Sequence, residues 1–530
     1  MRFPVSLGAV VAVTCLAVVA VLTRVTFLGD RPLFRDEAAS WLASTFTPDE
    51  LVIHLAGEPY PPLYPLLLRA WTGAFGDSEA ALRSMSVVAG LVVVAVGATF
   101  AWQALGRRAG IVALALIAAS PIAILNARDA RMYALESAFA AGAWWLLWRQ
   151  LQPPPEGRHW RLAQRVALPV CVAGQLWTLP FGLPLVGLQL FAAVAASWPS
   201  LSRARPAVLG VAIGMATYLP WLPRTLDAAA GGSWTPRPNP GDLANTVMAS
   251  VADVANAPAL LSVGALLVGV AVLGIAAAIF RPDWLRAASD RRLLSPTAIR
   301  DLGIVIGAGA ALAPAVWLVS QVQPVYDTRY FGPIVVPMAL GVVAGLEALR
   351  YWAGARWLAA GIIVVMLTVA VNATAWQGSW RDPQDLAPTE PLMETIRDHA
   401  EAGDVLLALD PRSYFTVAYS IHRGEIDGFA DLPLLVWDSG SDPVWFGGSL
   451  IPADRKLGCP RPLEPSCVHA IPGLAPGGRV LLVALANGTT DDLNFEPLDA
   501  GHFREVARHD VTRGRETGQL RILIPAATAD

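Results

Sequence analysis

The sequence predicts a polytopic α-helical membrane protein with a small C-terminal α/β domain, and three observations predict it. Of 530 residues, 55% are hydrophobic and only 15% charged, against about 25% charged in an ordinary soluble domain. Mean hydropathy is +0.48. Long apolar runs recur through residues 1–376 and then stop, and the remainder, 377–530, has the mixed composition of a water-exposed domain. The net charge of −3 supplies no basic field for a nucleic-acid partner.

Apolar segments lie near 4–28, 84–105, 110–126, 131–149, 166–182, 183–199, 206–222, 259–280, 303–320, 331–349 and 356–376. They predict about eleven transmembrane helices, several of them shorter than the ~20 residues a span needs. The first follows Arg2, but it is long enough to span and no small-residue cleavage site follows it, so it reads as an uncleaved helix. Arginines cluster after the second, fourth, sixth, eighth and tenth segments: Arg107–Arg108, Arg149–Arg165, Arg203–Arg205, Arg281–Arg300 and Arg350–Arg356. The positive-inside rule puts those loops in the cytoplasm. The N-terminus is then cytoplasmic and the C-terminal domain extracytoplasmic, on a multi-pass protein of the plasma membrane.

That orientation gathers the reactive side chains on one face. The first outer loop, 29–83, contains "LFRDEAASWLAS", with Asp36 and Glu37 in the first turn of a predicted helix, then "GEPYPPLYPLLLRAW", a proline break leading into an amphipathic helix. Acids in a first helical turn also complement the helix dipole by about 0.3–1 kcal/mol. The second outer turn, "NARDARMYALESA", sets Arg128 and Arg131 three apart and Asp129 and Tyr133 four apart, spacings that share a helical face. An Arg–Asp pair tying two helices together is the alternative there. The third, "QPVYDTRYFGPIVVP", brings Arg329 and Tyr330 to the membrane re-entry point. An interfacial Arg can snorkel to headgroups, and its planar fork equally suits a phosphate.

In the tail, "GDVLLALD", "GRVLLVAL" and "LRILIPA" read as strands, and 389–402 as a helix. No nucleotide-binding fingerprint occurs there. Cys459 and Cys467, eight apart in "GCPRPLEPSC", are disulfide candidates in an oxidising compartment. Cys15 and Cys171 fall in apolar segments.

The series "RDEA", "PPLYPLLLRAWTGAFGDSEAALRSMSVVAG", "ARDARMYAL", "YLPWLP" and "TRYFGPIVVP", in that order after an N-terminal span, resembles the bacterial GT-C glycosyltransferases that use polyprenyl-phosphate-linked sugars. It is similar to their protein O-mannosyltransferase and aminoarabinose-transferase branch. The resemblance covers residues 1–376, which makes that span the catalytic domain. It implies that Asp36 is the catalytic base with Glu37 beside it. It also implies that Arg128, Asp129, Arg131 and Tyr133 line the site, and that Arg329, with Tyr330, faces the lipid phosphate. Glu58 and Tyr60 fall in the substrate-binding loop. Relatives often have a His before the double proline, where this chain has Tyr60, and a Thr-His pair where it reads "WTLPFG" with Leu179. Both departures weaken the case for a His-assisted metal site.

The implied activity is transfer of a hexose or pentose, mannosyltransferase-like, from a polyprenyl-phosphate donor to a hydroxyl of a glycolipid, cell-wall glycan or protein. One carboxylate base suffices for a single inverting displacement. Asp36, Glu37 and Asp129 leave open an oxygen-ligand site for Mg2+ or Mn2+, but no DxD spacing favours it and the expectation is metal independence. A transporter or flippase for lipid-linked sugars is the other reading. It would place ionisable groups at mid-membrane on broken helices within internal repeats, whereas here the charges gather at one surface.

Overall fold

A computed structural model of the chain describes residues 7–55, 60–153, 158–198, 200–230, 235–288, 295–381, 388–424, 432–438, 450–458, 471–487, 503–513 and 516–525. Glu58, Cys459 and Cys467 lie outside the described residues. The first part is helical: α1 (Leu7–Val25), then α2 (Arg35–Thr45), α3 (Pro48–His54) and α4 (Leu63–Phe75) in the first outer loop, and α5 (Glu79–Leu105). Next come α6 (Arg107–Ala118), α7 (Pro121–Arg128), α8 (Tyr133–Leu151), α9 (Arg158–Thr178), α10 (Gly182–Ser197) and α11 (Arg205–Ala216). The series continues with α12 (Leu222–Ala230), α13 (Pro240–Ala249), α14 (Leu261–Phe280), α15 (Pro282–Ala288), α16 (Pro296–Ala310), α17 (Leu312–Val319), α18 (Val335–Ala353) and α19 (Ala355–Arg381).

Each of the eleven apolar segments coincides with one of these helices or a consecutive pair. Among the described residues, six helices are long and apolar enough to cross a membrane, or seven if the bent pair α6–α7 is one span. The chain is a multi-pass membrane protein. The 55° bend between α6 and α7 has a local cause. Pro121 starts α7 without an N–H, and carbonyls at the end of α6 are left over. The buried Arg24 of α1 donates to two of them, Ile117 O at 3.4 Å and Ala118 O at 2.9 Å, which fixes α1 to the break. Elsewhere small residues let helices touch. Gly274 of α14 lies against Gly341 and Gly345 of α18, and a Cβ there would strike the facing backbone.

After α19 the chain forms α20 (Thr389–His399), β1 (Val405–Ala408), α21 (Pro411–His422), β2 (Leu434–Asp438), β3 (Lys456–Gly458), β4 (Val480–Asn487), β5 (Phe503–Arg513) and β6 (Glu516–Pro525). They make one sheet in the order β3-β2-β1-β4-β6-β5. β3, β2, β1 and β4 run parallel, with β6 and β5 antiparallel at the edge. Parallel strands covered on both faces read as continuous apolar runs, and β1 is buried at every position. Val405 and Leu407 pack in one small core, whereas Leu406 and Ala408 join the large core that continues into the helices.

The domain docks on the first outer loop through α21. Trp41 of α2 meets Tyr419 edge-on at 5.2 Å and His422 at 4.9 Å between ring centres. Tyr419 Oη donates to Asp77 O at 3.1 Å, and His422 Nε2 lies 2.5 Å from Asp77 Oδ2.

Candidate functional site

The site is organised by the start of α2. Asp36 and Glu37 are adjacent, and on a helix adjacent side chains diverge by about 100°. The structure sends them in opposite directions. Glu37 turns inward and is buried, with Arg83 of α5 donating to both its oxygens at 2.8 and 2.6 Å. The backbone amides of Ala130 and Phe34 complete its shell, each at 2.8 Å. Arg83 spends its remaining donors on the carbonyls of Leu28, Arg31 and Pro32. Burial works against the Glu37 carboxylate, and Arg83 with the two amides outweighs it, holding its pKa below the ordinary glutamate value. This knot ties α2, α5, the α7–α8 turn and the loop after α1 to one point.

Asp36 turns outward. Its side chain is 33% exposed, towards a cavity of about 250 Å³. Arg329 Nη1 approaches its Oδ2 at 3.1 Å, while Arg329 Nη2 holds Asp327 at 3.0 Å. Asp327 in turn caps the turn before α18 by accepting from Arg329 N at 2.9 Å. Arg131 Nη1 donates to Asp36 O at 3.0 Å and to Ser40 Oγ at 3.1 Å. Around them stand Tyr60, Tyr64, Tyr133 and Tyr330, with the Arg131 guanidinium 5.4 Å from the Tyr60 ring centre and Arg329 5.7 Å from that of Tyr133. Burial raises the Asp36 pKa, and the guanidiniums of Arg131 and Arg329 more than offset it, so the net position is below the ordinary aspartate value. Asp36 is therefore a carboxylate at neutral pH, in hydrogen-bonding reach of a group entering the cavity.

A second cavity of about 670 Å³ lies one helical turn away along α4 and α8. Tyr64 and Tyr133 line the first cavity; Leu67, Trp71, Leu135 and Phe139 line the second, which is almost wholly apolar.

Of the sequence-predicted residues, Asp36, Tyr60, Arg131, Tyr133, Arg329 and Tyr330 line the polar cavity together. Glu37 does not, because its oxygens are already committed. Arg128 does not either: it donates to Thr23 O and Thr26 O and lies over the Trp376 and Trp380 rings at 4.1 and 4.2 Å, bracing α19 against α1. Asp129 stands behind the lining. Burial, then the nearby Glu37 carboxylate, push its pKa up to about 8. The three carboxylates considered for Mg2+ or Mn2+ thus do not converge. Among the described residues no group of three or more His, Cys, Asp or Glu is placed to hold a metal. Arg35, Ser40, Thr178, Arg412 and Phe415 also line the cavity and were not singled out in the sequence. Ser40 had a signal, lying one helical turn after Asp36; Arg412 and Phe415, from α21, had none.

The raised Asp129 pKa has a testable sign. An acid with a folded pKa above its unfolded value near 4 favours the native state while protonated. That advantage falls away as pH rises from about 4 to about 8. Asp129→Asn, which mimics the protonated acid, is expected to raise the apparent melting temperature of the detergent-solubilised protein more at pH 8 than at pH 5. Equal effects at both pH values would contradict this.

No protein-family model and no curated protein matches the chain. Among solved structures it is similar to ArnT from Cupriavidus metallidurans in the apo state, at 16% identity and TM-score 0.58, covering 97% of this chain and 98% of that one. It is similar also to the same ArnT bound to undecaprenyl phosphate, at 16% identity and TM-score 0.57 over the same shares. The match runs through both the helical part and the C-terminal sheet domain, so the chain has the ArnT fold along nearly its whole length.

Proposed function

We propose that this chain is an integral-membrane glycosyltransferase. It would move a sugar from a polyprenyl-phosphate donor to an acceptor hydroxyl on the extracytoplasmic side, with inversion and with Asp36 as general base. The observation that carries this reading is the ionised, cavity-facing Asp36 held between Arg131 and Arg329, one helical turn from an apolar groove. An ArnT with the same fold binds undecaprenyl phosphate, which supports the donor class. A polyprenyl chain suits the apolar groove and its phosphate the guanidiniums beside it.

In the reaction the acceptor oxygen attacks the anomeric carbon as its proton passes to Asp36, and the bond from that carbon to the phosphate oxygen breaks. Arg329 and Arg131 stabilise the departing phosphate. Tyr60, Tyr133 and Tyr330 wall the space the sugar would occupy. Glu37 positions Asp36 without touching substrate. The orientation, N-terminus cytoplasmic and sheet domain outside, rests on the arginine-rich loops.

Purified protein offered a panel of radiolabelled polyprenyl-phosphate sugars is expected to transfer the sugar or release it slowly. A protein that binds and turns over none of them would move the transporter reading ahead. Turnover is expected to persist in EDTA; its loss, restored by Mg2+ or Mn2+, would reinstate a metal. Arg329→Lys keeps the charge but loses the fork that spans Asp36 and Asp327, and removal of one preorganised transition-state donor costs about 10²- to 10³-fold in kcat. A kcat within a few-fold of wild type would remove Arg329 from the phosphate site.

A further inference from the structure

The polar cavity is not built by the membrane part alone. Arg412, Phe415 and Leu450 of the sheet domain line it beside residues of α2 and α4. Arg412 sits in the first turn of α21, which Asp410 caps by accepting from Ser413 N at 2.7 Å. Asp410 also lies 3.3 Å from Arg412 and is not part of the lining. α21 is anchored further along by the Trp41–Tyr419 and Asp77–His422 contacts, so its first turn is held over the cavity mouth.

Among the described residues, four arginines, Arg35, Arg131, Arg329 and Arg412, thus line the cavity with one acidic residue, Asp36. Asp327 and Asp410 stand behind Arg329 and Arg412 and orient them. Arg131 and Arg329 belong to the reacting centre through Asp36, and a donor with one phosphate is matched there. Arg35 opens α2 in the outer loop and Arg412 lies in the first turn of α21 in the sheet domain, two helices that pack against each other, and the donor chemistry does not use them.

We infer that Arg412, with Arg35, binds an anionic group of the acceptor, a phosphate or a carboxylate distinct from the hydroxyl that is glycosylated. The inference rests on the glycosyltransferase reading for the word acceptor, while its test reads binding alone. Arg412 is then a specificity residue, and the sheet domain is a wall of the acceptor site. Planar guanidinium forks pair with both kinds of anion in two-point contacts.

The test measures binding of glucose 6-phosphate, glucuronate and glucose to the purified full-length protein in nanodiscs, at low salt. Wild type is expected to bind at least one of the two anions about ten-fold or more tightly than glucose, as charge-assisted hydrogen bonds allow. The tighter anion identifies the group. Arg412→Ala is expected to lower that preference several-fold without weakening glucose, the guanidiniums of Arg131 and Arg329 still attracting the anion, and Arg412→Lys to lower it less. The binding assay needs no sugar turnover, so failure of the enzymatic reading and failure of this one are separable. Equal affinity for the three probes, or an anion preference unchanged in Arg412→Ala, would overturn it. His422→Ala, which loosens α21 without touching the cavity lining, separates the charge of Arg412 from the docking of its domain. An anion preference lost only in His422→Ala would also overturn it.

Discussion

Asp36→Asn is expected to lower kcat for sugar transfer by about 10²- to 10⁴-fold, the range a positioned general base contributes. The substitution keeps the size of the side chain, and its amide oxygen can still accept from Arg329, so the cavity keeps its shape. What is lost is the ability to take a proton. The KM for the donor should move little, because the donor phosphate is held by Arg329 and Arg131. The pH profile is an independent check. Arg131 and Arg329 hold the Asp36 pKa below the ordinary value despite its burial. Wild-type kcat/KM should therefore stay flat as pH falls from neutrality, declining only below the usual carboxylate range near 3.8. An acidic limb centred near pH 6 to 7 would assign the base to a group other than Asp36. Retention of wild-type kcat by Asp36→Asn would do the same, and Asp129, whose pKa lies near 8, would be the next carboxyl to replace.

How far the site could be read from the sequence depended on how local its parts are. The apolar helices were legible because burial in lipid imposes a composition on every residue of a span, although among the described residues six or seven, not eleven, are long and apolar enough to cross a membrane. The strands β1, β4 and β6 were legible as continuous apolar runs. β5 was not: Phe503–Arg513 mixes charged and apolar residues on an exposed edge and has no such run. Asp36 and Arg329 stood out as charges at membrane entry points within the motifs that carry the family resemblance, although 293 residues separate them. The pairing of Glu37 with Arg83 was missed. It spans 46 residues and depends on how the outer loop folds back on α5, so nothing in "DEA" marked Glu37, placed beside the base, as a structural residue. Arg128 was misplaced for a related reason. Its spacing from Arg131 fits a single helix, but the chain breaks between α7 and α8 and sends the two side chains to different places. Arg412 reaches the cavity only because α21 docks on α2, a tertiary event with no signature in "DPRSYF".

The opposed directions of the two acids make Glu37 the more consequential residue for stability. Removing one partner of a buried ion pair leaves the other uncompensated, at a cost of about 3–5 kcal/mol. Glu37→Gln is expected to approach that range, because Arg83 is fully buried and Glu37 is its one acidic partner in hydrogen-bonding range among the described residues. Arg83→Met should cost a similar amount by leaving the Glu37 carboxylate buried, with only the Phe34 and Ala130 amides to solvate it. The double variant Glu37→Leu with Arg83→Met removes both charges and should recover part of the loss, the remainder coming from the five backbone groups that lose these partners. The three variants, compared by apparent unfolding temperature in detergent, test the pair as a structural knot. Activity gives the second readout. The same knot fixes the first turn of α2, and with it the 3.1 Å approach of Asp36 to Arg329, so a double variant that regains stability without the knot should transfer sugar more slowly than wild type if Glu37 acts by position. If it is stable and as active as wild type, the knot does not position Asp36. If the single variants unfold at the wild-type temperature, the pair is not what holds the loop, and the positioning role assigned to it fails.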